Sequence, residues 1–132
     1  MNVGALHHLA VKAWDVETLA GFYGEALGME FERKFEDSFG LRSVWLRFGA
    51  SRLMIERSEE GGVTNRFFDS DPTGLHIFVF SMDASQREAW RERLESHDCP
   101  VVQETEHTLY FQDPESNRFG LSSWPVEPIS ND

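Results

Sequence analysis

The feature that most constrains the chain is a strand-to-helix skeleton that occurs twice. Leu6 to Asp15 reads LHHLAVKAWD, and Leu75 to Asp83 reads LHIFVFSMD. Laying His8 on His76, an offset of 68 residues, also lays Val11 on Val79 and Asp15 on Asp83; farther on, Phe22 falls on Trp90 and Ala26 on Leu94. In both copies apolar alternation gives way to helical spacing at the aspartate. The period changes at the same point in each copy, which marks a duplicated supersecondary unit of about half the chain.

Each half reads as β-α-β-β-β. In the first, residues 6–13 alternate as a strand, with His8 and Lys12 on one face and His7, Leu9 and Val11 on the other. Asp15 is placed to cap a helix whose stripe is Leu19, Phe22, Tyr23, Ala26 and Leu27, closed by Gly28. Strands are expected at 29–35, 43–48 and 52–57, the last two joined at Gly49-Ala50-Ser51. In the second half a helix over 84–97 turns Gln86, Trp90 and Leu94 inward and stops before Pro100. Strands are expected at 101–103, 107–112 and 118–123, with DPESN as the last turn. The expected organisation is one domain over 1–132, with module 1 at about 5–58, a linker at about 59–74, module 2 at about 75–124 and a tail at 125–132. The long 58–74 connection is of the kind that carries function or motion; its Phe67 and Phe68 either cover a pocket or pin the loop.

Composition narrows the function. Twelve Lys and Arg against 23 Asp and Glu give a net charge of −11, which argues against nucleic acid as a partner. The same balance mildly favours a cationic ligand or an uncharged one. Eleven Phe and four Trp supply ample core. A single cysteine, Cys99, is compatible with a reducing compartment. No targeting segment or membrane-length apolar run is visible, so the expected location is cytoplasmic and no membrane partner is expected.

LHHLAV, FYGEALGMEF, RLMIE, GLHIFVF and LYFQDPESNRFGL, in that order over residues 6–123, resemble the vicinal oxygen chelate superfamily. That group includes glyoxalase I, fosfomycin-resistance transferases, extradiol dioxygenases and bleomycin-resistance proteins. The resemblance implies an α+β fold of two βαβββ modules forming a cupped mixed sheet around a central cavity, and a homodimer. It also implies metal ligands at the first and last strand of each module. Carried over, these are His8, Glu56 and His76, with Gly120 at the fourth position, where relatives with the full set have a carboxylate.

Two imidazoles and one carboxylate form a set suited to Zn, Ni, Mn or Fe with positions left for substrate. Glu56 is a candidate ligand or proton-transfer base. Tyr110 is a candidate hydrogen-bond donor near the vacant fourth position, and Trp45 and Arg47 are candidates for the pocket wall. His7 is read as structural, His97 and His107 as surface or strand-edge residues, and Cys99 as inert. The bland alternative for Glu56 is an ion pair with Arg52, Arg57 or Arg118. Two functions follow: a metal-dependent lyase, isomerase, transferase or dioxygenase acting on a small molecule, or a metal-free sequestration protein similar to bleomycin-resistance proteins.

Overall fold

A computed structural model describes residues 1–60, 68, 71 and 73–125. The expectations for Phe67, most of the linker and the tail after 125 fall outside the described residues.

Strand β1 (His8–Ala13) ends two residues before Asp15. The Asp15 carboxylate accepts from the Thr18 amide (3.1 Å) and the Thr18 hydroxyl (2.7 Å), starting helix α1 (Val16–Glu25). An N-cap of this kind satisfies amides that the first helical turn leaves unpaired. Gly28 takes a φ of 72° just after the helix, where a side chain would be strained. Strands β2 (Glu30–Asp37), β3 (Gly40–Phe48) and β4 (Ser51–Arg57) complete the module. Their sheet, sheet A, has the order β1-β4-β3-β2, with β1 and β4 parallel.

The second module repeats this topology. Strand β5 (Phe78–Ser81) leads to Asp83, whose carboxylate accepts from the Ser85 amide at 2.9 Å. A single 3-10 turn (Ala84–Gln86) then opens helix α2 (Arg87–Ser96). Strands β6 (Gln103–Glu104), β7 (Thr108–Gln112) and β8 (Arg118–Ser122) follow. Sheet B has the order β5-β8-β7-β6, with β5 and β8 parallel. The expected α+β fold of two βαβββ modules is present, and the two sheets are not closed on one another.

The 68-residue offset holds in the helices and fails in the first strands. Ala26 and Leu94 are both buried, and Phe22 and Trp90 pack on the same core. The Arg93 guanidinium even donates to the carbonyl of Glu25, its counterpart 68 positions earlier (2.8 Å). In the strands, Val11 packs toward the core whereas Val79 is 46% exposed. Lys12 is the cross-strand neighbour of Glu56, and Val79 that of Gly120, so the strand positions correspond at one residue less. A one-residue change of register exchanges the faces of every side chain. Gln86, expected inward, is exposed, because the 3-10 turn rotates it off the helical stripe.

One face of each sheet contributes to a shared core. Val44, Leu46, Leu53 and Ile55 of sheet A and Leu109, Phe111, Phe119 and Leu121 of sheet B belong to one cluster with the buried side of α1. The rings of Phe22 and Tyr23 reach Phe119 edge-on at 5.9 Å. The buried Tyr23 hydroxyl donates to Asp113 Oδ2 (2.6 Å). Glu115 accepts from the amides of Trp14 (2.7 Å) and Asp15 (3.2 Å), so a turn of the second module secures the start of the first module's helix. The opposite faces of both sheets are open and carry the polar residues. No helix among the described residues is long and apolar enough to cross a membrane.

Candidate functional site

On the open face of sheet A, alternation along β1 presents His8 and Lys12, and β4 adds Arg52, Met54 and Glu56 beside them. Lys12 Nζ lies 3.4 Å from Glu56 Oε2 with both side chains largely in water, a weak ion pair. Glu56 therefore pairs with none of Arg52, Arg57 and Arg118: Arg52 holds Glu32 through two bonds (2.9 and 2.8 Å), and Arg57 holds Asp37. Those guanidinium bonds keep the carboxyls of Glu32 and Asp37 below the usual range. His8 lies four residues, about 13 Å of strand, from Lys12. Its Nδ1 is 2.9 Å from Nδ1 of His7, so His7 contacts the candidate ligand directly.

Trp45 lines a cavity of about 260 Å³ on this face together with Lys12, Phe35, Arg42, Glu56 and Arg57. Its wall position is as expected. Arg47 instead lines a neighbouring groove with Met29, Glu30 and Phe48.

On the open face of sheet B, Tyr110 stands directly across from Gly120. A Cβ built on Gly120 would lie 3.2 Å from the Leu109 carbonyl oxygen and 3.4 Å from Tyr110 Cδ1. The tyrosine ring thus lies against Gly120. Tyr110, His76, Phe68, Val79 and Gln103 line a cavity of about 420 Å³. The Phe68 ring lies 6.0 Å from that of Tyr110 and under the Arg118 guanidinium at 5.6 Å. Phe68 is therefore part of the pocket wall.

Arg118, which the sequence offered only as a partner for Glu56, is 2% exposed, and its Nη1 lies 2.8 Å from His76 Nδ1. A guanidinium only donates, so Nδ1 of His76 accepts. A neutral imidazole held this way carries its proton on Nε2 and has no lone pair left for a metal.

By donor chemistry the three candidate ligands suit a divalent ion, but by placement in one chain they do not. His8 and Glu56 lie on one open face and His76 beside the other, and among the described residues no three of His, Cys, Asp and Glu gather as a metal group. His107 stacks edge-on against Trp124 at 4.7 Å, at the sheet margin. The Cys99 thiol is buried against the Gln112 carbonyl, and burial pushes it up to about 12, which keeps it protonated and unreactive. Sequence reasoning missed the role of Lys12, which alternation already placed on the face of His8. It also missed Arg33 and Arg42, whose surroundings depend on the β2–β3 pairing.

The fold has clear relatives. Lactoylglutathione lyase from Agrobacterium tumefaciens superposes with a TM-score of 0.70 at 21% identity, covering 92% of this chain and 95% of that one. The fosfomycin resistance protein FosX from Listeria monocytogenes gives 0.76 at 18% identity, covering 96% and 95%. Another FosX structure from that organism, a mutant complexed with Mn(II) and 1S,2S-dihydroxypropylphosphonic acid, gives 0.75 at 15% identity over 95% and 96%. At these identities the likeness establishes the fold alone. No curated protein sequence matches the chain. The Glyoxalase/Bleomycin resistance protein/Dioxygenase superfamily model matches residues 5–121, and with the paired βαβββ modules this places the chain in that superfamily.

Proposed function

We propose that the protein binds a small molecule on its open sheet faces without needing a resident metal, as bleomycin-resistance proteins of the superfamily do. The observation that carries this reading is the contact between Arg118 and His76, which occupies the imidazole nitrogen and fixes the tautomer unsuited to ligation. Gly120 supports it by contributing no donor. Tyr110 and Phe68 supply an aromatic wall on one face, and Trp45 and Phe35 on the other. A homodimer completes the reading. The two open faces of one chain turn away from its common core, so a second copy is what sets sheet A of one chain against sheet B of another. The end strands β1 and β5 leave one edge of each sheet for such pairing. Action in the cytoplasm fits the buried thiol.

A second reading is a metal-dependent lyase, isomerase, transferase or dioxygenase, with His8, Glu56 and the His76 of a second copy holding Zn, Ni, Mn or Fe. It is favoured by the partly exposed Glu56 carboxylate on the face of His8, and by the likeness to a FosX that binds Mn(II). A bound ion would stabilise negative charge on paired substrate oxygens. Glu56, released from Lys12, would accept a proton, and the Tyr110 hydroxyl would donate a hydrogen bond to a substrate oxygen.

Metal analysis of untagged protein, with melting curves before and after chelator, separates the two. The first reading expects less than a tenth of an equivalent of metal and no shift when Zn, Ni, Mn or Fe is added. About one equivalent of metal per chain with a saturable rise in melting temperature establishes the second instead. Light scattering reads the dimer directly, and a monomer at working concentrations removes the opposed-face cavity.

A further inference from the structure

The charge of the whole chain misrepresents the charge of this sheet. Counting both faces, the strands of sheet A carry seven cations (Lys12, Arg33, Lys34, Arg42, Arg47, Arg52 and Arg57) against five carboxylates, a local +2 in a chain of −11. Within this patch the rings of Phe35 and Trp45 meet at 5.2 Å, tilted by 58°. Arg33 lies over both, at 5.8 and 5.5 Å, and Arg42 over Phe35 at 5.8 Å.

The cations differ in what else they hold. Arg52 and Arg57 are taken up by Glu32 and Asp37. Among the described residues neither Arg33 nor Arg42 has a carboxylate at ion-pair distance; Arg33 lies over Phe35 and Trp45 and Arg42 over Phe35, with Glu32 and Asp37 farther off. Trp45 donates its indole N–H to Ser43 Oγ (3.1 Å), which fixes the ring, and Arg33 and Arg52 lie over it at 5.5 and 5.9 Å. The adjoining cavity of about 260 Å³ is bounded by Phe35 and Trp45 and by Lys12, Arg42 and Arg57 against Glu56 and Glu59; Lys12 pairs with Glu56 and Arg57 with Glu59, which leaves Arg42 as the cation in excess.

We infer that the Phe35–Trp45 end of sheet A takes a small planar organic anion of the aromatic carboxylate class. The two rings and the guanidinium planes recognise a flat ligand by stacking. Arg42 and Arg33 have donors to spare for a carboxylate, which a guanidinium binds through two parallel bonds. A cation of the same shape meets Arg33 and Arg42 beside the rings and is repelled there. A tetrahedral anion such as phosphate satisfies the charges but offers no face to the rings. The acidity of the rest of the chain does not reverse this, because surface charges more than about 8 Å away are screened at physiological salt. The inference rests on the functional reading above in using the same open face, and it needs no metal.

The test is tryptophan fluorescence of chelator-treated full-length protein titrated with benzoate, with the isosteric cation benzamidine, and with phosphate and acetate. Saturable quenching by benzoate is expected, with benzamidine, phosphate and acetate each at least tenfold weaker. Arg42→Gln is expected to weaken benzoate about tenfold at an unchanged melting temperature, and Arg33→Gln serves if that variant does not fold. Trp45→Phe is expected to remove most of the signal while calorimetry still detects binding. Equal binding of benzamidine, full displacement of benzoate by equimolar phosphate, or an unaltered affinity in both arginine variants overturns the inference. Stoichiometric metal uptake alongside benzoate binding defeats the metal-free reading and leaves this one intact. Absent metal with no benzoate response does the reverse.

Discussion

At the scale of single residues, Gly120 is occupied ground. A methyl group there meets the Leu109 carbonyl oxygen at 3.2 Å, and the ring of Tyr110 flanks it. Gly120→Ala is expected to cost about 1–3 kcal/mol through overpacking, with a larger loss for Gly120→Glu, both read from urea unfolding. Tyr110→Ala in the same background should recover part of that loss. Tyr23 is a second case. Its hydroxyl hydrogen-bonds the buried Asp113, whose carboxyl burial raises above the ordinary value, while the bonds from Tyr23 and Asn117 oppose the rise. A carboxyl raised in the folded state contributes stability that is present at low pH and is lost as pH rises through its folded pKa. Removing the Tyr23 hydroxyl raises that pKa further, so Tyr23→Phe should cost more above the titration of Asp113 than below it. The expected cost near neutrality is about 1.5–3 kcal/mol. A wild-type-minus-variant difference that does not change with pH would refute the assignment.

At the scale of elements, caps are where sequence and structure agree best. Asp15 and Asp83 were legible as helix starts because a capping side chain acts within three residues, and the structure gives both bonds. Asp15→Ala should cost about 0.5–2 kcal/mol, measured as a shift of the thermal midpoint. Strand pairing is non-local and was less legible. The repeat aligned Val11 with Val79, but β5 meets β8 through Phe78 and Phe119 and Val79 with Gly120, which turns Val79 outward. Gly120 lies beside Val79 of its module's first strand, as Glu56 lies beside Lys12. What no spacing disclosed is that His76 is held by Arg118, 42 positions later in the chain. Motif spacing reports which residue types recur, not which nitrogen is already engaged.

At the scale of the molecule, the total charge of −11 is unevenly spread, because seven of the twelve Lys and Arg lie on the strands of one sheet. Length and the repeat point to a shared interior, and Phe22 and Tyr23 of one half do pack with Phe111 and Phe119 of the other. That sharing has a practical outcome. The loop Asp113–Asn117 anchors the amides of Trp14 and Asp15 through Glu115 and the Tyr23 phenol through Asp113, so each half completes the other like a key left in its lock. Co-expressed halves, 1–60 and 73–132, should assemble by fragment complementation into a soluble, cooperatively melting complex, whereas either half alone should aggregate. Two separately soluble, folded halves would show that the duplicated units are autonomous after all.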